Sequence, residues 1–158
     1  MRRKEKQRDT AFAWQALKEA THSVISMVKE DGKPYAVPVN HVADEKNGVI
    51  YFHCASAGEK LDAITAHPDV CLVAVGYAAL VPHHLTTDFR SAVVKGTAAL
   101  VEDEGEILHA IRLLTAALDP VSVDGLEQRM ARTGCMQRMK IVKILPVEIT
   151  GKESVEQI

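Results

Sequence analysis

Residues 51–61 carry the side chains of this chain that are best suited to binding an anion. A stretch typical of a strand ends in small residues at 55–57, turns at Gly58 and begins a predicted helix that contains Lys60. Small residues let a ligand approach the backbone, and the free N–H groups of a helix start attract a phosphate, more so beside an ammonium group. The pattern alone also allows a second interpretation, in which Ser56 caps the helix and Lys60 is a solvated lysine.

Other polar side chains have open roles. His53 precedes the anion-binding segment, where it either contacts a ligand or satisfies a buried backbone group. Arg90 lies in an otherwise apolar segment, so it binds an anion or a carboxylate, or faces solvent. His83 and His84 are adjacent and on a strand would face opposite sides, which favours a solvated loop over a shared metal site.

No motif of a hydrolase, a zinc protease or a P-loop nucleotide-binding protein occurs in the sequence. A bound redox cofactor would supply redox chemistry itself, so the chain would need only to orient the cofactor and tune its electronics. The three cysteines, Cys54, Cys71 and Cys135, are odd in number and widely spaced, and we expect them to be reduced packing residues.

Hydrophobic periodicity and turn residues predict the elements that must position these side chains. Asp9 or Thr10 is expected to cap the first helix, Pro38 to lie at an edge, a bulge or a ligand-facing point, and Gly96 to mark a bulge or bend. Residues 76–88 are interpreted as a loop or irregular strand, and 126–132 as a possible short helix. The predicted strands are 23–29, 35–42, 49–54, 70–75, 89–101 and 139–150, with helices over about 10–20, 58–66 and 102–118.

This order predicts a mainly β protein, an antiparallel barrel of six strands with about three helices, rather than a parallel doubly wound sheet. The length of 158 residues predicts a single domain, 1–158, in which the charged residues 1–8 are a flexible start.

Composition excludes several classes of function. A net charge of -2 and an aromatic content of only 4% do not favour binding of nucleic acid. The basic N-terminus is followed by no long apolar run, so we expect neither a signal peptide nor a membrane span, and a cytoplasmic protein.

Five segments, in order, resemble the nitroimidazole-resistance branch of the FMN-binding split-barrel family that is similar to pyridoxamine 5'-phosphate oxidase. The similarity extends from about residue 35 to residue 152. The segments are 35–40 (YAVPVN), 50–62 (IYFHCASAGEKLD), 67–71 (HPDVC), 89–93 (FRSAV) and 149–152 (ITGK).

The resemblance implies a six-stranded split barrel that forms a homodimer, with FMN in the groove between the subunits. One strand would lie along the flavin ring, the helix-start segment would enclose the phosphate with Lys60 as counter-charge, and a neighbouring strand would also reach the cofactor. The residues so implied are Val37, Pro38, Val39, Asn40, His53, Ala55, Gly58, Lys60, Leu61, Arg90 and Ser91.

The sequence departs from the family pattern at His41, Cys54 and Ala92, and His41 could alter access to the flavin. The resemblance implies an oxidoreductase that passes electrons from NADH or NADPH to a small organic acceptor such as a nitro-aromatic. A flavin carrier or sensor without turnover, and an interaction module that has lost its cofactor, are the alternatives. Oxidation of pyridoxamine phosphate itself is less favoured, because the tail at 151–158 is acidic on balance.

Overall fold

The computed structural model describes residues 3–133 and 138–155. Eight strands form one antiparallel sheet in the order β3-β2-β6-β7-β8-β5-β4, and β1 pairs with the end of β8. The strands are β1 (Gln7–Arg8), β2 (Ser23–Val28), β3 (Pro34–Val39), β4 (His41–Asp44), β5 (Val49–Ala55), β6 (Asp69–Val81), β7 (Thr86–Leu100) and β8 (Met139–Ser154).

The short connection at Asn40 shows that the sheet curls into a split barrel. Asn40 is the only residue between β3 and β4, and these strands lie at the two ends of the strand order. The sheet must therefore curl until its two ends meet, but no ladder joins them and the barrel stays open there. The predicted fold class is confirmed, and so is the prediction that Pro38, which has no N–H to donate, lies in a strand at an edge.

Four helices flank the sheet within the described residues. They are α1 (Thr10–Glu19), α2 (Glu59–Ala66), α3 (Glu104–Leu118) and α4 (Leu126–Thr133). The predicted cap of α1 is Asp9, whose side chain accepts a hydrogen bond of 2.8 Å from the N–H of Phe12. None of the helices in residues 3–133 and 138–155 is both long and apolar enough to cross a membrane.

The side chains of β5 divide the core into two clusters. Ile50 and Phe52 point into the barrel, whereas Val49 and Tyr51 contribute to a second cluster that includes Ala110 and other residues of α3. Such alternation is a consequence of the two-residue period of a strand. The same alternation decides which way the polar residues further along β5 can point.

Two glycines let α1 pack closely against the barrel. A Cβ atom at Gly76 would lie 2.8 Å from the carbonyl oxygen of Ala16, and one at Gly151 would lie 2.8 Å from Cδ1 of Phe12. Both contacts are too short for a larger residue, so α1 can pack this closely only because glycine occupies these two positions.

Several predicted boundaries need correction. Six strands become eight, because the predicted strand 35–42 divides at Asn40 and because Gln7 and Arg8 pair with Lys152 and Gly151. Within the charged start, Arg8 forms an ion pair of 2.8 Å with Glu153. The helix α4 brings the helix count to four.

The segment predicted as a loop or irregular strand at 76–88 is mainly a hairpin. Its arms pair from Tyr77 with Arg90 to Val81 with Thr86, and only the tip, which includes His83 at a positive φ, leaves the ladder. Single-sequence periodicity misses it because pairing with the opposite arm holds these residues in the sheet. The predicted bulge is confirmed, since the β7–β8 register shifts between Lys95 and Gly96.

Two of the three cysteines lie within the described residues. Cys54 and Cys71 are free and partly buried. Cys135 lies outside the described residues.

Candidate functional site

A groove of about 200 Å³ lies where β5 runs into α2. The predicted anion-binding segment lines it with residues 54, 55 and 57–61, and β3 borders its other side. The lining residues are Tyr35, Cys54, Ala55, Ala57, Gly58, Glu59, Lys60 and Leu61.

The backbone at Gly58 leaves the start of α2 open. Gly58 has φ 138° and ψ 167°, a conformation accessible almost only to glycine. Its carbonyl oxygen accepts hydrogen bonds from Leu61 (2.9 Å) and Asp62 (3.2 Å), and no side chain caps the helix. Among the described residues, the N–H groups of Glu59 and Lys60 therefore have no acceptor and remain available to an anion.

Ser56 does not cap the helix, since no side chain accepts a hydrogen bond at the start of α2. Its backbone N–H donates a hydrogen bond of 3.2 Å to the carbonyl oxygen of Arg138. This bond ties the strand end to the beginning of β8, and the helix start stays free.

Lys60 has no carboxylate partner among the described residues. Its Nζ lies 5.6 Å from the centroid of the Phe52 ring, in a cation–π contact. Burial raises the pKa of the neighbouring Cys54 thiol, and the positive charge of Lys60 opposes part of that rise. A partly buried lysine without a carboxylate partner among the described residues favours an anionic ligand in the groove.

The predicted ring-binding strand runs from this groove along the open edge of the barrel. Tyr35 lines the groove, and further along β3 Val37 is half-buried and Val39 buried, whereas Pro38 and Asn40 are exposed. Because β3 is a terminal strand of the sheet, its outer backbone edge has no partner strand.

His53 lies in a different cavity. Strand alternation turns it to the face opposite Phe52, where it lines a cavity of about 320 Å³ together with Ile111 and Leu118 of α3, Leu126 of α4 and other residues. The structure therefore does not bring the imidazole of His53 together with Lys60.

Arg90 and Ser91 do not line the groove of their own chain either. Arg90 forms an ion pair of 3.5 Å with Glu19 and lies 5.3 Å from the centroid of the Tyr77 ring. The Glu19 oxygen in this pair is buried and accepts no hydrogen bond from the described residues, so Arg90 serves as its counter-charge. Ser91 pairs with Val75 and Lys152 in the middle of the sheet.

His41 does not control access to the groove, contrary to the expectation from the sequence. It is only 4% exposed, its Nδ1 lies 2.8 Å from Oγ of Ser23, and its Nε2 lies 2.8 Å from the carbonyl oxygen of Leu17. Its two hydrogen bonds join α1 to the sheet, and burial lowers the pKa of His41 below its ordinary value of 6.5.

Sequence reasoning missed the acidic side of the groove. Glu59 also lines a second cavity of about 380 Å³, together with Lys29, Glu30, Asp31, Asp62 and Ala63. Lys29 and Glu59 form an ion pair of 3.2 Å. The sequence signal was present, since Glu59 adjoins Lys60, but the contact with the β2–β3 turn is not local in sequence.

The donor set of the groove fits a phosphate group: free backbone N–H groups, one unpaired lysine and a close-approach glycine. Its volume of about 200 Å³ is below the range of about 300–1,000 Å³ usual for small-molecule sites. A larger ligand would thus need further walls beyond this groove. No group of three or more His, Cys, Asp or Glu side chains that could hold a metal occurs in the described part of the chain.

Solved structures of the same fold include flavoproteins. A putative 5-nitroimidazole antibiotic resistance protein from Bacteroides thetaiotaomicron is 22% identical, with a TM-score of 0.70 over 91% of this chain and 83% of that one. An FAD-binding protein from Mycobacterium smegmatis is 21% identical, with a TM-score of 0.65 over 96% and 99%. The flavocytochrome Anf3 from Azotobacter vinelandii is 19% identical, with a TM-score of 0.77 over 99% and 72%.

At these identities the likeness establishes the fold alone. The comparison with curated proteins finds no match. The sequence profile of the pyridoxamine 5'-phosphate oxidase family, in contrast, matches residues 9–153. These include β2 to β7, nearly all of β8, the four helices and the groove. The chain therefore belongs to the pyridoxamine 5'-phosphate oxidase family.

Proposed function

We propose that this protein binds FMN, with the cofactor phosphate at the start of α2. The observation that carries the proposal is the unpaired Lys60 beside the uncapped N–H groups of Glu59 and Lys60. A phosphate would accept hydrogen bonds from these groups and neutralise the lysine. The flavin-binding proteins that share the fold support this cofactor class.

The ring of the flavin would extend from the phosphate along β3. Val37, Pro38, Val39 and Asn40 would line it with backbone groups, and Pro38 would leave its edge free of a donor. FMN would exceed the groove of one chain, so a second copy would complete the site in a homodimer. Ser91 lies on the face of β7 opposite the buried Ala92, where a second copy could contribute it.

The reaction proposed is transfer of electrons from NADH or NADPH to a small organic acceptor such as a nitro-aromatic. FMN, when bound, would supply the hydride and electron chemistry, and the protein would hold and tune it. The fold shared with a 5-nitroimidazole resistance protein supports the acceptor class. The second candidate is a flavin carrier or sensor, which would use the same groove without turnover. Stopped-flow measurements would distinguish the enzyme from the carrier. Only an enzyme should show bleaching of the bound flavin by NADH or NADPH, followed by reoxidation with a nitro compound.

The phosphate assignment is tested with Lys60→Ala. We expect its affinity for FMN to fall by about tenfold or more, because a charge-assisted hydrogen bond is lost. Affinity for riboflavin, which has no phosphate, should be unchanged. Titration of flavin fluorescence measures both.

Lys46→Ala, which removes an exposed lysine from the β4–β5 turn, is the matched control and should bind both flavins normally. An FMN affinity within a fewfold of wild type in Lys60→Ala would show that the phosphate lies elsewhere.

A further inference from the structure

The cavity that contains His53 lies beneath α3 and α4, on the face of β5 that points away from the barrel interior. Its volume of about 320 Å³ is within the range of about 300–1,000 Å³ usual for small-molecule sites. Most of its wall is apolar and comes from three elements. These side chains are Ile111, Leu114 and Leu118 of α3, Leu126 of α4 and Met139 of β8. Such a wall favours an apolar ligand, because binding removes its surface from water.

The polar side chains of this cavity are free to contact a ligand. The His53 side chain is exposed, and neither its imidazole nor the hydroxyl groups of Thr115 and Ser122 form a hydrogen bond with the described residues. His53 therefore does not satisfy a buried backbone group, which was the alternative that the sequence left open. An imidazole N–H can donate a hydrogen bond to a carbonyl or nitro oxygen of a ligand.

The charge of the cavity disfavours an anion. None of its lining side chains within the described residues is a lysine or an arginine, and Asp119 contributes a carboxylate. The helix α3 ends at Leu118 with no basic residue in its last turn, so the negative end of its dipole is not compensated there. An uncharged ligand is favoured over a carboxylate of the same shape.

We propose that this cavity is a second ligand site, which binds an uncharged, apolar ring compound that accepts a hydrogen bond from His53. The inference does not rest on flavin binding, because the cavity and the phosphate groove share no lining residue. The two sites are neighbours, however. His53 lines the cavity and Ala55 lines the groove, and they lie two positions apart on the same face of β5.

The test uses naphthamide and naphthoate, which have nearly the same shape and differ in charge. NMR signals of the His53 imidazole and of the Met139 methyl group report on binding in this cavity, in protein to which no flavin has been added. We expect naphthamide to shift both signals to saturation with a Kd of about 1 mM or tighter. Naphthoate should bind at least about threefold more weakly.

Leu118→Trp should fill the cavity. The Leu118 side chain is 43% exposed, so the larger ring can be accommodated without unfolding the protein. We expect the affinity for naphthamide to fall by at least about tenfold and the affinity for FMN to stay at the wild-type value. Val121→Trp is the matched control, because it adds the same ring at an exposed valine of the segment that follows α3, and it should bind naphthamide normally.

Two further substitutions test the polar contacts. His53→Leu should weaken naphthamide binding by about 2- to 12-fold, and His53→Gln, which keeps an N–H donor, should weaken it less. Asp119→Asn should raise the affinity for naphthoate by about 1.4- to 5-fold and leave that for naphthamide unchanged.

Three results would each overturn the inference: no saturable shift with naphthamide, equal affinity for naphthoate in the wild type, or the same naphthamide affinity in Leu118→Trp and Val121→Trp. Displacement of naphthamide by FMN would overturn it as well, because the cavity would then be part of the flavin site.

Discussion

Lys60 is partly buried and His41 is fully buried, and their surroundings differ. Lys60 keeps its ammonium group beside the Phe52 ring without an anion. His41 is enclosed by Ser23 and the carbonyl oxygen of Leu17, where a neutral imidazole satisfies both partners. The surroundings of Lys60 favour binding of an anionic ligand, whereas the hydrogen bonds of His41 stabilise the fold.

His41 should make folding sensitive to acid. Burial lowers its pKa in the folded state below 6.5, so the unfolded chain binds a proton more readily as the pH falls. Stability from the neutral His41 is present above about pH 6.5 and decreases as the pH falls through the lowered pKa. Urea unfolding between about pH 5 and 8 should therefore show a decrease in the free energy of unfolding at the acidic end, and His41→Gln a flatter profile.

His67→Gln is the control for this experiment, because His67 is exposed at the end of α2. This variant should keep the wild-type dependence on pH. An unchanged slope in His41→Gln would show that His41 does not couple folding to protonation.

The anion-binding residues could be predicted from the sequence because the signal is local. Gly58 and Lys60 lie two residues apart, so a strand that runs into a helix brings them together without tertiary information. The side of the sheet to which His53 and Arg90 point could not be predicted, since it depends on strand register and on partners distant in the chain. Glu19, the partner of Arg90, lies in α1, far away in the chain.

At the scale of the elements, the long ladder between β7 and β8 contains one irregularity. Gly96 lies at the register shift, opposite Pro146. A Cβ atom at Gly96 would overlap the carbonyl oxygen of Leu145 and lie 3.0 Å from Cα of Pro146, and both contacts are with backbone. The sequence predicted this bulge from the glycine alone and also predicted the strand 139–150, but not that the two would lie side by side.

Gly96→Ala should destabilise the protein by about 1–3 kcal/mol, because the two strands must separate to admit one methyl group. Chemical denaturation measures this difference. Ala99→Val adds more atoms at an exposed position of the same strand and should cost much less. A loss below about 0.5 kcal/mol in Gly96→Ala would show that the bulge can relax.

For the whole molecule, the outer face of the sheet exposes apolar side chains across neighbouring strands. Val24 pairs with Val73 and Val73 with Val93, and Val75 follows on the same face. Val24 is 40% exposed and Val75 50%. An apolar face that crosses several strands is typical of an interaction surface, and the proposed homodimer would cover it.

Light scattering after gel filtration should give the mass of a dimer for the wild type. Val24→Asp/Val75→Asp should shift it to the monomer and weaken FMN binding, because the second copy no longer completes the site. Val121→Asp, at an exposed valine outside the sheet, should remain dimeric. A monomeric wild type that binds FMN tightly would contradict the homodimer.

The family and the fold class could be predicted from ordered motifs, because these are spread over most of the chain. The exact strand count could not, since Asn40 and the β1–β8 pairing are set by closure of the barrel. The central proposal, that the groove binds FMN, concerns the chemistry of the site.

The visible spectrum of the purified protein, recorded as isolated and again after saturation with FMN and desalting, tests that claim most directly. We predict a yellow protein that absorbs at about 450 nm and retains about one FMN per chain. A colourless protein that retains no FMN after this treatment would contradict the account.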